Sequence, residues 1–404
     1  MIRRDRSRRH AEPTAAALRR MRANEVRGGL STWGREPKTD RVHGDSLDHD
    51  TQPAGAAPRR RIGLKRIAIT GVLLVVVVSV VGSVLLWQRV SAFNAKVSSA
   101  TAASTALFGP LGGRERVNIL FVGYAGEAGH GGKYLADSLN ILSIDPVSNT
   151  TTVIPVPRDL WITGLPEIPR GGKANEIFAL GYAKGGIDEA GRAQAAVLSS
   201  VTGLKIDHWL AIDFPAFRRL IDSVGGVDIT NPRAFQYTWS EEKFHAHRWD
   251  GGSFSKGRLH LNGKRALDYA RNRYTSVAAE SSDFARSIRQ QRVLEALRTK
   301  LGPGGIGSLG PALAVMDALQ TGFATDLSAI DLLLVSGHLH VDRRIEFSED
   351  KVLVAGRNDA GQYVLLPIGA KRLGDYAPLR AYVAAQLAKP IPTPRPSATA
   401  TPIP

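Results

Sequence analysis

Arginine is the side chain whose placement first suggests chemistry in this sequence. Arg271 and Arg273 stand two apart in Ala270-Arg271-Asn272-Arg273, so an extended segment would project both from one face. Asp283, Arg286 and Gln290 are spaced i, i+3, i+7 and fall on one stripe of a helix. Arg158 follows an apolar strand run in Pro157-Arg158-Asp159, at the end of a sheet where α/β proteins bind ligands. A guanidinium's planar fork matches two phosphate oxygens at once, and several guanidiniums together repel one another unless an anion joins them. Phosphate binding is therefore one reading. The other is that these arginines are salt-bridged to Asp268, Asp283 and their neighbours, or solvated. No P-loop, dinucleotide-binding glycine fingerprint, HExxH or GxSxG motif accompanies them. The glycine-rich run from Gly123 to Gly132 is irregular and reads as a loop.

Net charge is +16, and its location matters more than its size. Residues 1–66 carry about seventeen Lys/Arg against about eight Asp/Glu, so more than half of the excess lies in that tail. The tail has few large apolar residues and is expected to be disordered. Next comes Ile67 to Trp87, about 21 residues without a charge, enough to cross a hydrocarbon core of roughly 30 Å. Arg59, Arg60, Arg61, Lys65 and Arg66 precede this run, which predicts a cytoplasmic N-terminus and an extracytoplasmic remainder. The run is too long and begins too late for a cleaved signal peptide. The chain contains no cysteine, which excludes disulfides, thiolate metal sites and cysteine nucleophiles.

The elements that must position the arginines lie further on. Residues 88–115 are rich in Ser, Ala and Thr and read as a stalk. Buried-strand runs are expected at Val117 to Val122, Ser138 to Ile144 and Thr151 to Val156, with another strand at Val227 to Ile229. Helices are expected at Ala193 to Thr202, Phe214 to Val224, Asn262 to Ala270 and Asp283 to Leu301. A further helix is expected after a cap at Thr325-Asp326. Strands interleaved with helices predict an α/β fold: a mixed β-sheet sandwiched by helices, preceded by one transmembrane helix. The domain is expected over 116–388, with an extended Pro/Thr-rich tail over 389–404.

Several ordered blocks give the sequence a family resemblance. Ala136-Asp137-Ser138, the run Ser143 to Ile162, Lys173-Ala174-Asn175-Glu176, the run Gly203 to Ile229, Leu261 to Arg273 and Ser282 to Gln291 together resemble the LytR–CpsA–Psr family. The resemblance runs from about Val117 to Lys300, and more loosely to about Leu379. It implies an extracytoplasmic phosphotransferase that moves a glycopolymer from a polyprenyl pyrophosphate carrier to peptidoglycan with Mg²⁺. Carried over by residue, it implies pyrophosphate contacts from Arg158, Lys173, Arg271, Arg273, Arg286 and Gln290. It implies a magnesium-linked carboxylate at Asp137, with Asp159 and Asp283 orienting these groups. Two positions depart from the family pattern. Leu135 stands where many members have arginine, and Ala125 where many have aspartate. Glu127 or His130 could compensate for the second.

Phosphoryl transfer depends on in-line positioning and charge neutralisation, which arginines and Mg²⁺ can supply. Asp137 or Asp159 could accept the proton of an incoming sugar hydroxyl. Two other functions use the same parts. Water could replace the sugar hydroxyl, making a lipid pyrophosphate hydrolase. Alternatively the basic tail could bind nucleic acid as part of a membrane-bound regulator, although it contains no helix-turn-helix pattern and would bind only non-specifically.

Overall fold

The computed structural model describes residues 64–97, 116–126, 132–301, 309–349 and 351–391. The basic tail, Glu127, His130 and the Pro/Thr-rich end lie outside these residues. The chain divides at Ile67/Ala68, and the account below concerns the second unit.

The elements run α1 (Leu64–Val97), β1 (Val117–Tyr124), β2 (Ala136–Asp145), β3 (Thr150–Pro155), β4 (Trp161–Ile162), β5 (Gly172–Lys173) and α2 (Glu176–Thr202). Next are β6 (His208–Asp213), α3 (Phe214–Ser223), β7 (Val227–Asn231), β8 (Phe235–Thr238), α4 (Glu241–His245), β9 (Gly252–Phe254) and β10 (Gly257–Leu261). They continue with α5 (Gly263–Arg271), β11 (Tyr274–Thr275), α6 (Asp283–Leu301), α7 (Leu309–Ala318), β12 (Phe323–Thr325) and α8 (Ala329–Gly337). The last are β13 (Arg343–Arg344), β14 (Leu353–Arg357), β15 (Tyr363–Pro367) and α9 (Ala377–Leu387).

The central sheet has six strands in the order β12-β6-β1-β2-β3-β13. It is mixed: β1 pairs parallel with β6 and antiparallel with β2, while β3 pairs antiparallel with β2 and parallel with β13. Alternation along β1 fixes its two faces. Leu120, Val122 and Tyr124 enter the core shared with α2 and α9; Val117 and Ile119 enter the opposite core, shared with α3, α5, α6, α7 and α8. Both faces are covered, so β1 is apolar on both sides apart from Asn118 rather than alternating with polar residues. The expected sandwich of a mixed sheet between helices is thus the fold.

The structure differs from the sequence reading in three places. Residues 88–97, expected to begin a stalk, are helical, because Phe93 and Val97 are buried in the second core and carry α1 onto the domain. The helix expected from Ala193 begins instead at Glu176, with a kink at Gly185-Gly186. Helix α8 is capped by Ser328, whose hydroxyl and Asp331 form a capping box. Thr325 and Asp326, expected to be the cap, instead bond to Trp209 on β6: the Thr325 hydroxyl donates to its carbonyl, and the Asp326 carboxylate accepts from its N–H.

Among the described residues one helix, α1, is long and apolar enough to cross a membrane. Its 34 residues would extend about 51 Å at 1.5 Å per residue, well beyond a core of roughly 30 Å. Val75 to Val81 are all exposed along it, while Phe93 and Val97 in its C-terminal turns pack on the domain.

Candidate functional site

The site lies at one end of the sheet. Pro157 cannot donate to the ladder, so β3 ends and the chain turns at Arg158 and Asp159. The turn is fastened from two sides. The Asn175 N–H donates to the Arg158 carbonyl over 3.1 Å, and the Leu365 N–H donates to the Asp159 carbonyl over 2.9 Å. Pairing of β4 with β5 sets Trp161 opposite Lys173 and brings the lysine back over the turn.

An alternating row of charges results. Lys173 Nζ lies 2.7 Å from Asp159, Asp159 lies 3.4 Å from Arg158 Nε, and Arg158 Nη1 lies 3.6 Å from Asp137 on β2. The four side chains are 15–20% exposed, half-sheltered yet open on one side. Each charge has an opposite neighbour, which offsets the cost of sheltering it. Arg158 Nε is buried without a well-aligned hydrogen bond, its only carboxylate neighbour at ion-pair distance.

Arg271 is the last residue of α5, and Arg273 follows after the extended residue Asn272. A shared face was expected if the segment were extended; Arg271 is helical, and each guanidinium rests on aromatic rings. Arg271 stacks 3.9 Å over Phe214 and 5.4 Å from Trp239, and Arg273 lies 5.0 Å over Tyr274. Burial lowers the Arg271 pKa from its usual value, and Asp137 and Asp268 oppose that shift. Asp137 is thus near enough to couple Arg271 to the row around Arg158. Arg286 lies on α6 one turn before Gln290, as the stripe predicted, and its field reaches Arg289.

Gln290 bridges two elements. Its carbonyl accepts from the Ser138 hydroxyl over 3.0 Å, and its amide donates to the Ala270 carbonyl over 3.3 Å. Asn140 donates to the same hydroxyl over 2.8 Å. These bonds fix β2, and with it Asp137, against the end of α5 that carries Arg271.

The residue the sequence reading missed is Arg289. It is fully buried, and every nitrogen of its fork donates. Nε bonds to the Tyr269 carbonyl, Nη1 to the Glu280 carbonyl and carboxylate, each over 2.9 Å, and Nη2 bonds to the Asn272 carbonyl. It therefore satisfies carbonyls that the end of α5 leaves without partners and places a cation at that helix's negative pole. Its one sequence signal was adjacency to Gln290, off the stripe that drew attention.

Beneath the charges opens an apolar cavity of about 570 Å³. Its walls include Phe121, Leu210, Phe217, Leu267, Leu294 and Leu319, and α1 contributes Leu86, Val90 and Phe93. Ser138, Asn140, Arg271 and Gln290 also border it, so the apolar chamber meets the Arg271 cation directly. A second cation, Arg344, borders it too, bonded to Glu346 over 2.8 Å and Gln291 over 3.2 Å.

Among the described residues no group of three His, Asp or Glu side chains could hold a metal ion. The available carboxylates are Asp137 and Asp159, and Asp159 already faces both Lys173 and Arg158. This donor set fits Mg²⁺ only where phosphate and water supply the other ligands, the ion's usual manner of binding beside nucleotides.

A family model described as the LytR_cpsA_psr family matches residues 87–367. Similar proteins include TagV of Bacillus subtilis (strain 168), named polyisoprenyl-teichoic acid–peptidoglycan teichoic acid transferase, at 33% identity over 180 residues. That match covers 45% of this chain and 42% of TagV. A TagU of the same activity name, from Bacillus cereus, is 29% identical over 214 residues, covering 53% of this chain and 61% of its own. The chain thus spans about half the length of these relatives. Among solved structures, the crystal structure of B. subtilis TagV is 22% identical with a TM-score of 0.48, covering 67% of this chain and 96% of that one. Since the family model spans well over half of the sequence, the chain belongs to the LytR–CpsA–Psr family.

Proposed function

We propose that this protein is a membrane-anchored, Mg²⁺-dependent phosphotransferase that moves a glycopolymer from a polyprenyl pyrophosphate carrier to peptidoglycan. The observation that carries this reading is the junction, at Arg271, of an apolar cavity with the charged row that Asp137 links to it. A polyprenyl pyrophosphate has the complementary form, a long apolar chain ending in concentrated negative charge. The names of the relatives support a teichoic acid as the class of polymer and peptidoglycan as the acceptor. The arginines preceding Ile67 support a cytoplasmic N-terminus, with the domain outside.

Arg271, Arg273 and Arg286, with Arg158 and Lys173, bind the pyrophosphate oxygens and neutralise charge as the phosphorus is attacked. A peptidoglycan hydroxyl oxygen bonds to the sugar-bearing phosphorus, and the bond from that phosphorus to the bridging oxygen breaks. Polyprenyl phosphate leaves with the bridging oxygen. The hydroxyl proton passes to Asp137 or Asp159. Asp159 also holds Arg158 and Lys173 in position, while Ser138 and Gln290 hold β2 against α5. When bound, Mg²⁺ would be held by Asp137 and would add to the neutralisation of non-bridging oxygens.

Product analysis tests the reading. The full chain in nanodiscs, given a polyprenyl pyrophosphate-linked polymer and Mg²⁺, should release polyprenyl phosphate only when peptidoglycan is added, with polymer attached to it through a phosphodiester. Equal release without peptidoglycan, with polymer left in solution, would show a hydrolase instead.

A further inference from the structure

Helix α8 has an unusual surface. Ile330, Leu333 and Leu334 are 63%, 40% and 45% exposed, at the i, i+3, i+4 spacing that puts them on one face. Among the described residues no element outside α1 exposes as many large apolar side chains. The one charge in α8, Asp331, is buried and engaged in the capping box with Ser328. The exposed face therefore carries no charge to keep it in water.

Three observations connect this face to α1 and to the cavity. The Asn94 side chain of α1 accepts the N–H of Ala329, the first residue of α8, over 2.9 Å. Asn94 is seven residues beyond Trp87, about 10 Å along the helix, so α8 starts close to where α1 leaves the bilayer. Ile330 and Leu333 are both exposed and part of the cavity wall, to which the half-buried Leu86 and Val90 of α1 also belong. The cavity wall is thus continuous with an apolar surface beside the membrane helix.

We propose that α8 lies in the outer interface of the bilayer beside α1, and that a prenyl chain enters the cavity laterally from the lipid between these two helices. The inference rests on α1 spanning the membrane and on the cavity taking a polyprenyl chain. On this account α1 is a wall of the binding site as well as an anchor. The carrier lipid never has to leave apolar surroundings, and only its charged end rises to the arginines.

The absence of cysteine allows single labels to be placed in the full chain. Spin labels at Leu334→Cys, at Val78→Cys in α1 and at Val147→Cys in the exposed β2–β3 turn would be compared in nanodiscs by oxygen and nickel-chelate accessibility. The label at 334 should favour oxygen, as at 78, while the label at 147 favours the chelate. A label at 334 that behaves like 147 while 78 behaves as lipid-exposed would overturn the α8 placement without touching the reading of α1. Chelate access at 78 would overturn both.

Entry is tested separately by loading a polyprenyl phosphate. The variant Leu334→Lys, on the exposed face of α8 and outside the cavity wall, should slow loading from nanodiscs by about fivefold, since a lysine near the interface costs up to about 1 kcal/mol. Loading from detergent micelles should change little. Equal slowing from both sources would rule out the lateral route. A wild-type chain that binds the lipid from neither source would refute the reading of the cavity itself.

Discussion

Arg289 and Arg271 lie at the same end of α5 and have opposite surroundings. Arg289 is fully buried, with its whole fork bonded to three carbonyls and the Glu280 carboxylate. Arg271 contacts ring faces at Phe214 and Trp239 and borders the apolar cavity. A guanidinium with every donor engaged maintains the fold. One held by its π-face keeps its edge available to an oxyanion. The two are mechanically linked, because Arg289 grips the carbonyls of Tyr269 and Asn272, on either side of Arg271.

The contrast predicts separable effects. Arg289→Met should cost about 3–5 kcal/mol, since it leaves the buried Glu280 carboxylate with only the exposed Arg233, 3.6 Å away, as a charge partner. That is a fall in Tm of roughly 10 °C, measurable by calorimetry. Arg289→Met combined with Glu280→Met should recover part of the loss, and no recovery would mean that the carbonyl bonds rather than the ion pair dominate. Arg271→Ala should cost about 1–2 kcal/mol of stability, the range of a partly desolvated cation–π contact and less than the cost at Arg289. It should weaken polyprenyl pyrophosphate binding by about 1.5–3 kcal/mol in calorimetric titration. Arg271→Lys should restore only part of this, having lost the planar fork.

Asp137→Asn keeps the side chain's size and removes its charge. On the proposed metal role, it should raise the Mg²⁺ needed for half-maximal transfer by about tenfold or more, because Mg²⁺ favours charged oxygen ligands. An unchanged Mg²⁺ requirement would move the metal elsewhere. The smallest effect is expected far from the site. Hydrogen bonds from Lys300 and His260 hold the Asp228 pKa down at about 2. A lowered carboxylate pKa stabilises the fold above the unfolded value near 4, and that contribution is lost as pH falls towards 2. Asp228→Asn should therefore flatten the acid limb of a urea-midpoint profile slightly and leave the profile at neutral pH almost unchanged.

The legible parts of the molecule were those set by local periodicity. The apolar runs of β1, β2 and β3, both ends of α6, and the Arg286–Gln290 stripe follow from spacing within a few residues. Ordered blocks around Asp137, Arg158 and Lys173 pointed to one neighbourhood, and ion pairs join those three through Asp159. What sequence could not show depends on partners distant along the chain. Arg289 is defined by carbonyls at 269, 272 and 280, which no pattern around position 289 announces. Thr325 and Asp326 look like a helix cap, but β6 competes for them and wins. Residues 88–97 look like a linker by composition, and tertiary burial of Phe93 and Val97 keeps them helical. The rings under Arg271 come from the first residue of α3 and the residue after β8, brought together only by the fold.

The claim that this surface reads a charged head group above an apolar chain can be measured directly with three lipids of equal chain length. Binding of polyprenol, polyprenyl phosphate and polyprenyl pyrophosphate to the full chain in nanodiscs should strengthen in that order. The pyrophosphate should exceed the alcohol by roughly 100-fold or more, about two charge-assisted contacts' worth, and Arg271→Ala should erase much of that gap without weakening the alcohol. Equal affinity for all three lipids, or equal loss of all three in Arg271→Ala, would contradict the account.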